Sequence, residues 1–474
     1  MTDYIIELPN EKLTISSELL AKYDKMGPRY TSYPTAPIWS GDFKTKDWLE
    51  AIERSNQSQK DISLYFHIPF CRTACYYCAC NFVVSPRSEN SEPYMQALYR
   101  EIEAVGQKVD KTRKVKQIHY GGGTPTFLNL EQLEMLFSKI KENFNVDFSD
   151  DSEISIEIDP RVTSFEQLTL LKKLGFNRVS LGVQDFNPQV QEAVNRIQSY
   201  EMVEALVNHC RELGYESINF DLIYGLPLQT VESFKETLDK VIKLSPDRIA
   251  LFNYAHLPSL RPFQKAHIVE SQLPLRDTKL LIFCEAMKEF SQNGYEYIGM
   301  DHFAKHQDEL SVARQERTLH RNFQGYTTKA GLDLIGMGMT SIGSIDNTFT
   351  QNEKKLNKYL EFFNENYTAE KLVPIEKGYV CNQDDLLRRA VISKLLCHGV
   401  LLFGEIEKEF SVNFTHYFAD ELRQLPDLEN DGLIKITDKK VEVTSLGRIF
   451  LRNIAMVFDI YLKSSKNVLF SRTV

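Results

Sequence analysis

Nowhere does the chain run roughly 18 apolar residues together, so no segment reads as a membrane-spanning helix. Basic charge is not in surplus: 56 Lys and Arg stand against 65 Asp and Glu, a formal net charge of -9. That balance argues against broad binding to nucleic acid or anionic membrane, while leaving room for a local basic pocket that holds an acidic small molecule. Low-complexity tracts are missing too, and 42% hydrophobic with 26% charged residues describes a folded protein. At 474 residues it is long enough for one large domain plus smaller elements. Residues 1–30 mix charged and apolar groups without the apolar centre of a secretory signal, so a cytoplasmic location is expected. Cysteine is sparse, eight in the whole chain, too few for a disulfide framework at this length. Cys210, Cys284, Cys381 and Cys397 are scattered and read as small buried hydrophobes. The other four, Cys71, Cys75, Cys78 and Cys80, fall within one short stretch and need a different explanation.

What the chain does have is a repeated alternation. Six β-like runs, ISLYFHI, QIHY, EISIEI, RVSLGV, SINFDLIYG and RIALFNYA, lie between residues 61 and 256. Helical patterns separate them, among them Asn129 to Phe144, Ser164 to Leu174 and Thr230 to Leu244. Asn129 with Gln132 and Thr163 with Glu166 read as capping boxes, and Gly175 as a helix stop. Strand–helix alternation means parallel βαβ units and an α/β fold, either a doubly wound sheet or an incomplete (β/α) barrel. In both, functional groups gather at the carboxyl ends of the strands, where Cys71, Gly121 to Thr124, Glu157, Gln184, Asp221 and Ala255 all fall. The expected organisation is an N-terminal extension over 1–60 that helps cover the site, a barrel over 61–345, and a mainly helical domain over 346–474. Beyond residue 256, a helix near 275–292 leads to GYEYIGMDHF and a polar stretch at 305–330. From about Asp384, helices near 385–397 and 416–424, the strands LIKIT and KVEVT, and a closing helix suggest a winged-helix-like module. It carries no basic stripe, so packing or lid duty fits it better than DNA binding.

The first run ends in YFHIPFCRTACYYCACN, where Cys71, Cys75 and Cys78 form CxxxCxxC. Thiolates are the usual ligands of iron–sulfur clusters, and a [4Fe-4S] cube held by three of them keeps one iron open for a chelating ligand. A zinc site that also uses Cys80 is the rival, but structural zinc usually clamps ligand pairs from distant segments, and all four thiols here share one loop. A thioredoxin-like pair at Cys75 and Cys78 leaves the other cysteines without a place. GGGTPTF (121–127) ends the second run; its glycines let backbone approach a ligand, and it lacks the GK[ST] of a phosphate loop. GMGMTS (336–341) lacks the third glycine of a dinucleotide fingerprint.

CxxxCxxC after the first strand resembles the signature of the radical S-adenosylmethionine superfamily, which implies an incomplete (β/α)6-type barrel. GPRYTSYPTA, HIPFC, GGGTPT, SIEIDPR, GVQDF, VNR, DLIYGLP, FNYAHLP, GMDHFA and HRNFQGYTT, in this order, are similar to the oxygen-independent coproporphyrinogen III oxidase family. DGLI, RNI, FD and FSR extend the likeness to the tail. The resemblance implies a [4Fe-4S] cluster on Cys71, Cys75 and Cys78, with its fourth iron left to S-adenosylmethionine, and two S-adenosylmethionine molecules side by side. Tyr65, Gly122, Glu157, Ala255 and Ile342 would line the first, with Tyr65 and the three cysteines counted as catalytic. Tyr77, Gly123, Thr124, Gln184, Arg196 and Asp221 would line the second. Carboxylates suit ribose hydroxyls, and an arginine fork suits a carboxylate. The family commonly has Phe at Tyr77 and Gly at Ala79, and Cys80 is left without a role.

The implied reaction is oxidative decarboxylation of two propionates of coproporphyrinogen III. A substrate with four carboxylates needs cations, for which Arg29, Arg161, His320 and Arg321 are the candidates. A flavodoxin- or ferredoxin-type electron donor and a monomeric state complete the implied picture, with no nucleic acid partner. Two alternatives stay within the superfamily: a haem chaperone of a related branch, and a radical methyltransferase or ring-opening enzyme acting on haem. The chaperone branch generally lacks the CxC cysteine and the HRNFQGYTT stretch, both present here.

Overall fold

All six runs form strands: β1 (Ile62–Ile68), β2 (Lys114–Gly122), β3 (Glu153–Ile158), β4 (Arg178–Gln184), β5 (Ser217–Tyr224) and β6 (Arg248–Asn253). The structure, a computed structural model, describes residues 3–364, 367–368, 372–463 and 470–473. Four further strands adjoin β6 and β1 in pairs: β7 (Tyr295–Gly299), β8 (His302–Lys305), β9 (Asp333–Met337) and β10 (Ile342–Ile345). With β11 (Thr348–Asn352) and β12 (Ile375–Val380), the order is β7-β8-β6-β5-β4-β3-β2-β1-β9-β10-β11-β12. β1 to β6 and β9 pair in parallel, whereas β7, β8 and β10 to β12 pair antiparallel. The path has two ends, so the barrel is open and the incomplete (β/α)6-type architecture is what forms. β1 has neighbours on both edges and is buried along nearly its whole length, with apolar Ile62, Leu64, Phe66 and Ile68 on one face and Ser63, Tyr65 and His67 on the other.

The helices follow from their caps and apolar spacing. Leu130–Asn143 starts at a capping box in which Asn129 accepts from the Gln132 N–H (2.9 Å) and the Gln132 side chain accepts in return (3.2 Å). Its buried Leu133, Leu136, Phe137 and Ile140 share one face. The next capping box lies one residue later than expected, at Ser164 and Gln167. The Thr163 hydroxyl is already engaged by the Asp159 carbonyl and Thr126 Oγ1, both at 2.8 Å, so Ser164 caps instead. Gly175 does end that helix, at φ +102°.

Two other stretches differ from the sequence reading. Residues 305–330 hold a helix, Glu309–Gln315, capped by Asp308, and a hairpin of His320–Asn322 with Gly325–Thr327. The helix expected at 416–424 is three short ones, Phe414–Tyr417, Ala419–Leu422 and Leu425–Asn430; Phe418 leaves helical geometry (φ -100°, ψ 28°). Helix Gln383–His398 and strands Ile434–Ile436 and Lys440–Val443 form as expected, and Val400–Leu402 adds a third strand to that hairpin. The N-terminal extension is clasped to the far end of the chain. Arg452 donates to the Pro28 carbonyl (3.0 Å), Asn453 donates to the Tyr23 carbonyl (2.8 Å), and Met26 bridges Arg472. Among the described residues no helix is long and apolar enough to cross a membrane.

Candidate active site

The cysteine loop leaves β1 and folds back on its own base. Phe70–Cys71 pairs with Val83–Val84; the Val83 N–H donates to the Pro69 carbonyl (2.7 Å) and the Ser85 N–H to that of Cys71 (2.9 Å). The arc between is pinned from outside. The Tyr76 N–H donates to the Val194 carbonyl (2.9 Å), Asn195 Nδ2 to that of Ala74 (2.8 Å), and Gln264 Nε2 to that of Tyr77 (2.8 Å). Cys71, Cys75, Cys78 and Cys80 therefore meet at the rim of one cavity of about 410 Å³. Burial pushes the Cys71 thiol up to about 12, whereas a hydrogen bond from the Cys80 thiol draws Cys78 down to about 7.

Strand alternation builds the cavity wall. Every second residue of five consecutive strands faces inward, from Gln117 and His119 on β2 to Arg248, Ala250 and Phe252 on β6. At the amino-terminal ends of the strands the charges are paired: Glu153 with Arg178 (3.3 Å) and Arg248 with Asp308 (2.9 Å). Nearer the cysteines the wall is a glycine cradle. Gly122 sits at φ +124°, and its N–H donates to Glu157 Oε2 (3.1 Å). A Cβ on Gly123 would lie 2.7 Å from the Pro69 carbonyl oxygen, so only glycine fits there. Thr124 Oγ1 is 3.5 Å from Cys71 Sγ.

Two arginines meet at Cys75. Arg161 Nη2 lies 3.4 Å and Arg196 Nη1 3.5 Å from its Sγ. Asp159 holds both, at 2.7 Å and 3.1 Å. Burial would raise the Asp159 carboxyl, but Arg196 and Arg161 outweigh it and keep it at about 2. On the facing wall, burial and the charge of Glu157 raise Asp221 to about 7, although Ser180 Oγ (3.2 Å) and Asn219 Nδ2 (3.0 Å) both donate to it. A β-bulge puts Gln184 at φ +66° and re-aims its side chain.

A cysteine rim, a cradle open to backbone approach and two carboxylates are the donor types that a cluster with a bound amino-acid nucleoside would use, although among the described residues no three His, Cys, Asp or Glu side chains gather around a single ion position. Gln184 Oε1 and Arg196 Nε, both buried, have no hydrogen-bond partner among the described residues, as expected of groups awaiting a ligand.

Cys71, Cys75, Cys78, Tyr77, Gly122, Gly123, Thr124, Glu157, Arg161, Gln184, Arg196 and Asp221 line this cavity. Tyr65 is not among the lining residues; it pairs in register with inward-facing His119 and donates to or accepts from His67 Nδ1 (3.0 Å). Ile342 packs near Trp39, its main chain against Gly336, the residue that pairs with Tyr65. Ala255 and Arg29 line a second cavity of about 650 Å³, where Arg29 pairs with Asp301 at 2.6 Å. His320 and Arg321 line a third, of about 900 Å³. Sequence reasoning passed over His119 and Asp159. His119 stacks on Tyr65 (5.9 Å between centroids) and bridges Ser155 Oγ (2.7 Å) and Glu157 Oε1 (3.3 Å). Its signal was its inward register, two residues before the glycines.

The model of the Radical SAM superfamily matches residues 65–241, and that of the HemN C-terminal domain matches 381–450. An oxygen-independent coproporphyrinogen III oxidase of Synechocystis sp. is 45% identical over 464 residues, 97% of this chain and 98% of the relative. One of the same name from Helicobacter pylori is 43% identical over 462 residues, covering 97% and 99%. The solved structure of coproporphyrinogen III oxidase (HemN) from Escherichia coli, described as a radical SAM enzyme, matches with a TM-score of 0.87 at 44% identity. The match covers 91% of this chain and 97% of that one.

Proposed function

This chain belongs to the oxygen-independent coproporphyrinogen III oxidase family of radical S-adenosylmethionine enzymes, and from that premise we propose that the cysteine-rimmed cavity is its reaction chamber. The reaction is oxidative decarboxylation, without oxygen, of two propionates of coproporphyrinogen III to vinyl groups, giving protoporphyrinogen IX. When bound, a [4Fe-4S] cluster and S-adenosylmethionine supply one-electron reduction and a 5'-deoxyadenosyl radical that takes hydrogen from the carbon β to the carboxylate. The observation that carries the reading is the convergence of CxxxCxxC, the glycine cradle and the unpartnered Gln184 and Arg196 atoms on one cavity.

Each residue has a definable role. Cys71, Cys75 and Cys78 would hold the cluster, on a loop whose base is tied by main-chain hydrogen bonds. For the first S-adenosylmethionine, Gly122 admits close backbone approach, Glu157 accepts from ribose hydroxyls, and Tyr65, Ala255 and Ile342 complete the surround. His119 fixes the Glu157 carboxylate through Oε1 and leaves Oε2 to the Gly122 N–H. For the second, Tyr77, Gly123 and Thr124 give shape, Gln184 and Asp221 bind polar edges, and Arg196 meets a carboxylate. Arg29, Arg161 and Arg321 are the candidate cations for the substrate's propionates, and His320, which burial and the charges of Arg389 and His398 keep neutral, is a candidate ring N–H donor to them. The extension at 1–60 serves as cover over the barrel of 61–345, with 346–474 as the second unit. A small flavodoxin- or ferredoxin-type protein supplies electrons, and the enzyme works as a cytoplasmic monomer.

The test is an anaerobic assay of reconstituted protein with coproporphyrinogen III, dithionite and S-adenosylmethionine. Protoporphyrinogen, methionine and 5'-deoxyadenosine are expected together, and Cys78→Ala should lose both cluster and products. Stable haem binding without carbon dioxide release, or methylated or linearised haem products, would turn the reading to one of its two alternatives. Stoichiometric zinc in place of iron would end it.

A further inference from the structure

The cavity of about 900 Å³ lies between the His320–Thr327 hairpin, helix Gln383–His398 and Tyr30 to Tyr33 of the N-terminal extension. The same hairpin borders the reaction chamber, because Tyr326 and Thr327 line that chamber while His320 and Arg321 line this cavity. The electrostatics of the cavity are unbalanced. Arg321 Nε and Nη1 are buried and have no partner among the described residues, and the guanidinium rests 4.9 Å above the Tyr326 ring. Arg389 faces the same cavity and stacks on Phe349 at 5.5 Å; among the described residues no carboxylate pairs with it. Its neighbour Arg388 shows the ordinary outcome, paired with Asp384 (2.9 Å) and Glu421 (2.8 Å).

The acids bordering the cavity do not compensate. Asp333 is taken by Arg113 (2.7 Å), Asp346 by Arg54 (2.9 Å), and Glu409 is exposed at the edge. Burial and the charges of Arg389 and His398 hold His320 below its ordinary value, so it faces the cavity as a neutral ring. Burying guanidinium nitrogens without acceptors is costly, and in a chain of net charge -9 counter-charges are not scarce. Arg321, buried without acceptors, and the half-buried Arg389, without a carboxylate among the described residues, are each held in place by an aromatic ring, as in a site whose acceptors arrive with the ligand.

We propose that this cavity binds carboxylates of the tetrapyrrole, with Arg321 and the previously unassigned Arg389 each forking onto one of the two propionates that survive the reaction. The proposal rests on the reading of the protein as a coproporphyrinogen oxidase. Size supports it: about 900 Å³ is in the range that encloses a large organic ligand, against about 410 Å³ for the chamber that would also have to admit the cofactors. The shared hairpin puts the anchored edge of the macrocycle beside the chamber in which its other edge reacts. Substrate choice then lies in the number and spacing of carboxylates and not in the pyrrole rings.

The test uses the cluster-loaded full chain and Arg321→Gln, Arg389→Gln and the double variant, with Arg389→Lys as the charge-retaining control. Binding of coproporphyrin III, the stable oxidised tetracarboxylate, is followed by absorbance, and turnover of coproporphyrinogen III gives KM and kcat. Each Gln variant should weaken coproporphyrin binding and raise KM roughly tenfold or more, with iron content and S-adenosylmethionine binding unchanged. Arg389→Lys should lose less than Arg389→Gln. Citrate is the second probe. If citrate binding falls in the variants while porphyrin affinity and KM stay at wild-type values, the cavity serves a separate small carboxylate and the proposal is overturned. It is equally overturned if neither ligand responds in folded, iron-loaded variants. A wild-type enzyme that neither binds coproporphyrin nor converts the porphyrinogen would instead overturn the function itself.

Discussion

Arg161 offers the most direct physical test of the site. Its Nη2 lies 3.4 Å from Cys75 Sγ, so in the loaded enzyme a cationic donor faces a cluster ligand. Reduction adds negative charge to the cluster, and a nearby cation favours the reduced form. A unit charge at 3.4 Å interacts with about 5 kcal/mol at an effective dielectric of about 20. Two features reduce this figure: the added electron is spread over the whole cube, and Asp159, 2.7 Å from Arg161, opposes its charge. About 1–2 kcal/mol remains, or roughly 40–90 mV for one electron at 59 mV per tenfold change. Arg161→Gln should therefore lower the cluster midpoint potential by that amount, with Arg161→Lys falling between the two. The measurement is an anaerobic potentiometric titration followed by electron paramagnetic resonance on protein of equal iron content. An unchanged potential in Arg161→Gln with an intact cluster would refute the reasoning, since removing a charge from this position has to register.

Other perturbations read other parts of the site. Gly123→Ala pushes a methyl to 2.7 Å from the Pro69 carbonyl and should cost about 1–3 kcal/mol of stability together with S-adenosylmethionine affinity, seen by thermal unfolding and equilibrium dialysis. Asp221→Asn should lower the number of S-adenosylmethionine molecules retained at micromolar concentration while iron content stays constant, as counted by dialysis. Glu101 is fully buried and accepts from Tyr359 (2.5 Å), Asn352 (2.6 Å) and the Gly338 N–H (2.7 Å), yet burial raises its carboxyl to about 7. Between pH 4.5 and about 7 the folded chain keeps a proton that the unfolded chain has released, so this contribution is present at low pH and lost as pH rises, by about 3 kcal/mol. Glu101→Gln should accordingly lose less stability than wild type from pH 5 to pH 8 in urea titrations; parallel losses would contradict the assignment.

The strands and the cluster loop were legible because their signals are local. ISLYFHI reads as a strand, and it is one; three thiols so closely spaced in a single turn of chain have few other uses. The inward face of the barrel was also legible, since alternation along EISIEI and SINFDLIYG decides which residues share a wall. What failed locally failed for non-local reasons. Thr163 has the right chemistry to cap a helix, but Thr126, brought over by the second crossover, occupies its hydroxyl. Strands β7, β8 and β10 to β12 escaped because antiparallel additions at a sheet edge need no crossover helix to announce them. Asp159 stands within SIEIDPR, yet nothing in that motif reveals its role, which lies in holding Arg196, an arginine that reaches it from the far side of β4. Arg389 gave no signal at all, since a lone arginine beside another on a helix looks like a surface pair until one of them is found to have a partner and the other not.

The self-paired base of the cysteine loop bears on how the enzyme ages. Its registers, Phe70 with Val83 and Cys71 with Val84, and its ties to Val194 and Asn195 involve no thiol. In a chain that has lost its iron, these ties would still hold the base of the loop together. Reloading such a chain would then call for iron, sulfide and electrons, and not for rebuilding the turn that carries the thiols.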